Sequence, residues 1–287
     1  MKKLIEDHQT LAGLILMTVA MLSIPLVDGL AKHLSATHSP LYVGWARYAA
    51  AAIVILPFGI HRHGRKIFPQ HNLGPHILRT VFLVSAMTLF FVAITKTSLA
   101  TAISAYFVAP IIGGGLAVIF LKEQLTRIKI VALVLGFLGA LVILQPGADI
   151  NAGVLLAMGS GGLFALYMIT TRMASRQSDP VRTLVFQCVV GALLLTPQAI
   201  WTWSTPGWHE AHLFLAMGII SAGSHLLSIT AFRYAEASTL APLVYLELVS
   251  AAVIGFLFFD ELPGLSTWIG AAIIVASGLL LARQVRK

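Results

Sequence analysis

Charge is scarce in this chain: Asp, Glu, Lys and Arg make up only 10% of its 287 residues, and acidic residues number 11. With 58% hydrophobic residues and a mean hydropathy of +0.89, a soluble globular domain is excluded, since such domains carry about 25% charged residues. Cysteine is almost absent. Cys188 stands alone within an apolar run, so no intramolecular disulfide can form. Hydrolase motifs are missing as well: there is no His-Glu-x-x-His, no Gly-x-Ser-x-Gly and no carboxylate cluster at a membrane face. A polytopic membrane enzyme is therefore the weaker reading. The histidines of His61-Arg-His63 come without Cys, Asp or Glu at ligand spacing, so no metal is read there. No motif calls for a cofactor.

What the chain has instead is long apolar runs. They fall at about 11–34, 40–59, 75–95, 99–121, 127–145, 151–174, 180–203, 210–233, 237–259 and 264–283. Each approaches or exceeds the roughly 20 residues that an α-helix needs to cross a bilayer. A transmembrane β-barrel would show short alternating strands in their place. The first run is too long for a signal-peptide core and lacks a small-residue cleavage site, so it reads as a retained helix. Short loops leave room for a single membrane domain over residues 1–287.

The chain also repeats itself. Gly13 aligns with Gly153, Lys32 with Arg172, Ser35 with Ser175 and Pro40 with Pro180, an offset of 140 (153 − 13). Thr101 aligns with Thr239, Phe120 with Phe258 and Glu123 with Glu261, an offset of 138 (261 − 123). Repeat one covers about 11–145 and repeat two about 151–283, joined by Gln145-Pro-Gly-Ala-Asp-Ile-Asn151. An odd number of spans per repeat makes the second copy enter the membrane the other way. The expected fold is all-α: ten transmembrane helices as two inverted five-helix repeats around a central cavity. Inverted repeats mark alternating-access carriers with a midplane site, and a channel would instead show a filter loop or a charged ring.

Charge distribution sets the expected topology. With both termini in the cytoplasm, 16 of the 19 Lys and Arg fall on cytoplasmic loops and helix ends, Arg79, Lys129 and Arg172 among them. Lys32 and Lys96 fall outside, and Arg47 within a span. That is the positive-inside pattern. Trp45, Trp201, Trp203, Trp208 and Trp268 all fall at outer ends or loops, with Tyr42 beside them, as an interfacial belt. The net charge of +8 is thus a topology and lipid-headgroup signal, and no nucleic-acid partner is expected.

The paired segments Phe120-Leu-Lys-Glu-Gln-Leu125 and Phe258-Phe-Asp-Glu-Leu262, each followed by a Gly-containing span, resemble the duplicated domain of EamA-type drug/metabolite transporters. So do Pro25-Leu-Val-Asp28 with Lys32, and Trp45-Ala-Arg47 in the second span. The resemblance covers essentially the whole chain. It implies a ten-helix secondary carrier with spans 1–4 and 6–9 around a cavity and spans 5 and 10 outside it. The amino-acid exporters of that superfamily, with their aromatic-amino-acid branch, look closest. Importers of riboflavin or S-adenosylmethionine are the alternative.

Ionisable groups inside spans are costly and so mark function. Asp28 and Arg47 lie at equal depth on adjacent spans, an ion pair that either fixes packing or acts as an outer gate, with Lys32 one turn outward. Glu247 sits mid-span in Leu243-Val-Tyr-Leu-Glu-Leu248, and its counterpart in repeat one is Ala109. It reads either as a proton carrier or as a hydrogen-bonded acid. His225, flanked by Ser224 and Ser228, is either an interhelical hydrogen bond or, with Glu247, part of a proton or substrate-ammonium site. Tyr245, Tyr106, Gln187, Ser85, Thr88, Tyr167 and Ser104 supply polar handles for an otherwise apolar cavity. Glu123 and Glu261, at span ends, read as caps or anchors.

Small-residue runs Gly113-Gly-Gly115, Gly159-Ser-Gly-Gly162 and Ser221-Ala-Gly-Ser224 mark close helix approach or pliable points, as do Pro25, Pro110 and Pro242. Gly136, Gly139, Gly270 and Gly278 mark packing faces in spans 5 and 10, which contain no buried charge on this reading. Together these point to a multi-pass carrier of the bacterial inner membrane that exports amino acids or similar small metabolites. Its partners would be a small-molecule substrate, the bilayer and, through Glu247, protons. A monomer suffices, because both repeats share one chain.

Overall fold

The computed structural model describes residues 2–94, 96–97, 99–145, 151–259 and 262–285. Among the described residues it is entirely helical, with nine helices long and apolar enough to cross a membrane and a shorter apolar one at Ala109–Leu121. In chain order the helices are α1 Lys2–Leu34, α2 Pro40–His63, α3 Leu73–Ile94, α4 Leu99–Tyr106, α5 Ala109–Leu121 and α6 Arg127–Leu144. The second repeat continues with α7 Ala152–Gln177, α8 Pro180–Trp201, α9 Trp208–Tyr234, α10 Ala237–Leu240, α11 Leu246–Phe259 and α12 Leu265–Val285. A 3-10 turn, Ala241–Tyr245, joins α10 to α11.

Helix starts follow local chemistry. Pro40 and Pro180 open α2 and α8, where a missing N–H costs nothing. The Asp179 carboxylate accepts the Val181 N–H at 2.9 Å, and Asn151 does the same for Val154 at 3.1 Å. Gly64 ends α2 at φ +58°, a conformation that disfavours other residues.

The fourth and ninth expected spans are each broken in the middle, and the breaks coincide under the repeat. Between α4 and α5 lie Phe107 and Val108, just before Pro110; in the other copy the 3-10 turn carries Pro242 and ends at Tyr245. Proline removes a donor from the helical ladder, and non-helical backbone at this depth is tolerated where protein covers it. Phe107 and Tyr245 are repeat mates (245 − 107 = 138), and their rings stack with centroids 5.8 Å apart. A residue stacked on its own mate places this contact at the pseudo-twofold axis.

Packing crosses between repeats throughout. α1 runs along α9, α3 along α7, α2 along α8 and α6 along α12. A Cβ on Gly13 would meet Ala235 Cβ at 2.8 Å, and one on Gly153 would meet Thr97 Cβ at 2.8 Å. These are one contact written twice, since 153 − 13 = 140 and 235 − 97 = 138. On the outer pair α6 and α12, Gly139 and Gly270 each lie against the other's carbonyl, and Gly136 seats the Tyr245 ring. Of the small-residue runs, Gly114 meets Leu133 and Gly161 meets the Tyr106 carbonyl, while Gly115, Gly162 and Gly223 face open space.

The two ends of the bundle differ. One, the basic face, gathers Arg62, Arg65, Lys66, Lys122, Arg127, Arg176 and Arg233; the other carries the tryptophans. The tryptophans divide in two. Trp45 and Trp203 pack with Tyr42 at ring separations of 5.3–5.8 Å, while Trp201 and Trp208 are almost fully exposed. The linker residues 146–150 and Glu261 lie outside the described residues, as does the side chain of Ser104.

Candidate functional site

The basic face is sealed by polar side chains reaching across the repeats. α5 packs on α10 and on the 3-10 turn, joining the basic-face halves of the broken spans. The Glu123 carboxylate, 5% exposed, accepts the backbone N–H groups of Ala237 at 3.1 Å and Ser238 at 2.9 Å, and it pairs with Arg172. Glu123 is indeed a cap, but of a helix in the other repeat. Arg172 also donates to the Phe232 carbonyl. Lys129 pairs with Glu236 and donates to Ser238 at 2.9 Å. Both Lys129 and Arg172 are buried, which corrects their reading as end-of-helix cations and the reading of the fifth span as free of buried charge.

Toward the tryptophan face the spans carry a second group of charged side chains. α4 packs chiefly on α7, and α11 on α1 and α12. Asp28 lies deep in α1, yet its side chain is 63% exposed, and its carboxylate approaches the Arg47 guanidinium at 4.0 Å. The expected pair is therefore present, with its anion turned toward an accessible space. Arg47 is nearly enclosed and donates from Nε to Ser221 at 3.0 Å and from Nη2 toward His225 Nε2 at 3.3 Å. An arginine only donates, so His225 accepts at Nε2 and carries its proton on Nδ1, facing the Tyr167 hydroxyl at 3.5 Å. Tyr167 in turn accepts from Arg79 Nη2 at 3.4 Å.

These contacts form one chain, Asp28–Arg47–His225–Tyr167–Arg79, through α1, α2, α9, α7 and α3. Arg79 is fully buried; it also donates to Thr171 at 3.2 Å and to the Thr183 carbonyl at 3.3 Å, and lies over the Tyr167 ring at 5.3 Å. Counting Arg79 as a cytoplasmic end residue missed this. It lies six residues into α3, about 9 Å along the axis, and its place inside the apolar run was the available signal.

Glu247, in the first turn of α11, is partly exposed and within electrostatic reach of Asp28 and Arg47. The Tyr106 ring, which feels both carboxylates, packs against Phe90 at 5.5 Å and Phe164 at 5.4 Å. Asp28, Arg47, Glu247, His225, Tyr106 and Tyr167 therefore share one region. The other candidates divide. Tyr245 is fully buried at the twofold axis, with its hydroxyl donating to the Phe107 carbonyl at 3.2 Å, so it belongs to the repeat seam. Thr88 returns its hydroxyl to the Val84 carbonyl, and Ser85 is half-buried on the same helix. Lys32 is exposed one turn beyond Asp28. Gln187, the repeat mate of Arg47 (187 − 47 = 140), is fully buried, and neither amide atom has a partner among the described residues.

The EamA-like transporter family matches this chain twice, over residues 11–145 and 151–283. The chain belongs to that family. It is a multi-pass membrane transporter and not an enzyme. An S-adenosylmethionine uptake transporter of Rickettsia felis is 31% identical over 263 residues, covering 91% of this chain and 88% of the relative. A riboflavin transporter of Vibrio cholerae is 29% identical over 282 residues, covering 94% and 92%. A crystal structure only 17% identical superposes with a TM-score of 0.81 over 98% of this chain and 99% of its own, which shows the shared fold. These relatives correct one expectation. The likeness is to transporters named for S-adenosylmethionine uptake and for riboflavin, rather than to amino-acid exporters specifically.

Proposed function

We propose that this carrier takes up a nucleoside-like metabolite bearing a cationic amino-acid group, of the S-adenosylmethionine class, across the bacterial inner membrane by alternating access. The observation that carries this is the pair of carboxylates beside an arginine and an aromatic wall. Asp28 and Glu247 offer negative charge to a cation, Arg47 offers a guanidinium to a carboxylate, and Tyr106 with Phe90 and Phe164 offers faces to a heteroaromatic ring. A cation on an aliphatic sulfur also gains from those faces. Riboflavin would use the aromatic wall, but it brings no cation for Glu247, and Asp28 would keep only its pairing with Arg47.

The accessible side is the tryptophan face. The concentration of Lys and Arg on the opposite face supports a cytoplasmic basic face, with both termini inside. On that reading the exposed Asp28 carboxylate faces outward, the side from which an importer loads its substrate. The test is uptake into proteoliposomes of labelled S-adenosylmethionine, riboflavin and phenylalanine at equal concentration. The expected result is saturable accumulation of S-adenosylmethionine that unlabelled riboflavin and phenylalanine do not compete away. Selective movement of riboflavin or of phenylalanine alone would overturn the proposal.

A further inference from the structure

Away from the central cluster, the basic face holds a cavity of about 280 Å³ between the 64–72 loop, the α7–α8 turn and the end of α9. Arg176, Arg182 and Arg233 line it, with His71, Gln177 and Asp179. The one carboxylate there is already committed. Asp179 binds His63 Nε2 at 3.0 Å, Arg62 at 3.6 Å and the Val181 N–H at 2.9 Å. Arg182 keeps a buried Nε with no hydrogen-bond partner among the described residues. No ion pair joins Arg176, Arg182 or Arg233 to any described carboxylate. Three guanidiniums around one cavity, two exposed and one holding a buried donor in reserve, suit an anion from outside the chain.

The cavity wall is fixed before any ligand arrives. Asn72, in the left-handed conformation at φ +47°, donates to the Gln177 side chain at 2.8 Å and ties the loop to the end of α7. Asp179 is held by both α2 and its own helix start. The residues next in sequence to the rim, Leu73 after the loop and Tyr234 after Arg233, are exposed and apolar or amphipathic. Exposed residues of this kind beside the rim suit a headgroup-level surface.

We infer that this cavity binds the phosphate of an anionic phospholipid headgroup in the leaflet at the basic face. Basic pockets between helices at that level suit such headgroups, and the planar arginine fork suits phosphate oxygens. The assignment is independent of the transported substrate, since none of these residues belongs to the central cluster.

The test uses the full-length protein in neutral detergent, with the thermal unfolding midpoint read after addition of phosphatidylglycerol, phosphatidylcholine or inorganic phosphate. Phosphatidylglycerol should raise the midpoint by several degrees, and phosphatidylcholine should not. The doubly substituted Arg176→Gln/Arg233→Gln protein, altered only at exposed side chains, should lose most of that rise. A control carrying Arg65→Gln and Lys122→Gln, two exposed cations of the same face outside the cavity, should keep it. Equal losses in the two variants would reduce the effect to a diffuse basic collar and overturn the site. An equal rise with inorganic phosphate would overturn the lipid assignment in favour of a soluble phosphate.

Discussion

A Cβ added to Gly13 in the first repeat or to Gly153 in the second would meet corresponding residues, just past the ends of α9 and α3, at the same 2.8 Å, whereas Arg47 and its mate Gln187 share a position and nothing else. Asp28 stands opposite Met168 (168 − 28 = 140) and Glu247 opposite Ala109 (247 − 109 = 138). Close helix approach in lipid depends on small residues at fixed places, and at Gly13 and Gly153 the pseudo-twofold scaffold keeps the same residue in both copies. A substrate with different ends has no twofold axis. On the proposed reading a site for such a substrate must therefore break the symmetry, and Asp28, Glu247 and Arg47, whose repeat mates are all uncharged, do so.

Substitutions that restore or disturb the symmetry probe this contrast. The largest effect is expected from Arg47→Gln, which gives the first repeat the residue of the second. Hydrogen bonds to charged groups contribute about 1.5–3 kcal/mol, so substrate affinity should fall roughly ten- to a hundredfold, measured by equilibrium binding of labelled S-adenosylmethionine. Unchanged affinity would remove Arg47 from the site. Glu247→Gln keeps shape and removes charge. If this carboxyl moves a proton, the variant should lose accumulation driven by a pH gradient while retaining exchange of internal for external substrate. Loss of both would make it a binding residue only.

On the scaffold side, Gly13→Ala and Gly153→Ala should each cost about 1–3 kcal/mol through overpacking, read as equal falls in the unfolding midpoint. Gly115→Ala, with nothing within 4 Å of its added Cβ, should be tolerated. Markedly unequal effects at Gly13 and Gly153 would break the claim of an equivalent scaffold.

The smallest effect concerns the basic face. Burial would raise the Asp179 carboxyl, but hydrogen bonds from His63 and the Val181 N–H, together with Arg62, outweigh it and hold the group below its ordinary range. A depressed folded-state value stabilises the protein above the unfolded value, near 3.8, and this stability is lost as pH falls through the folded one. Asn caps a helix as well as Asp does, so Asp179→Asn should cost only the lost pairing with His63 and Arg62, at most about 1 kcal/mol at neutral pH. The difference from the unsubstituted protein should shrink as the pH drops below the carboxylate range.

Much of this was legible in the sequence, and the misses have physical causes. Run length and composition implied the helices, and the near-equal offsets of 140 and 138 implied the repeat. Equal depth from two helix ends was enough to pair Asp28 with Arg47. The breaks in the fourth and ninth spans were harder to see because hydropathy stays high through a 3-10 turn. Pro110 and Pro242 were the only local signs. Arg79, Lys129 and Arg172 were misplaced because positive-inside counting treats a cation within two turns of a span end as solvated, while neighbouring helices bury all three. Tyr245 was read as a cavity residue because its chemistry suits one. Only the contact with its own repeat mate Phe107 shows that it belongs to the seam.

The central claim is that Asp28 and Glu247 read a positive charge on the substrate. Its most direct test compares binding of S-adenosylmethionine with that of S-adenosylhomocysteine, its neutral thioether analogue, in the unsubstituted protein and in the Asp28→Asn/Glu247→Gln double variant. The unsubstituted protein should prefer the sulfonium compound at least about tenfold, one lost charge contact being worth about 1.5 kcal/mol or more, and the variant should bind both with near-equal affinity. Equal affinity for both compounds in the unsubstituted protein, or an undiminished preference in the variant, would contradict it.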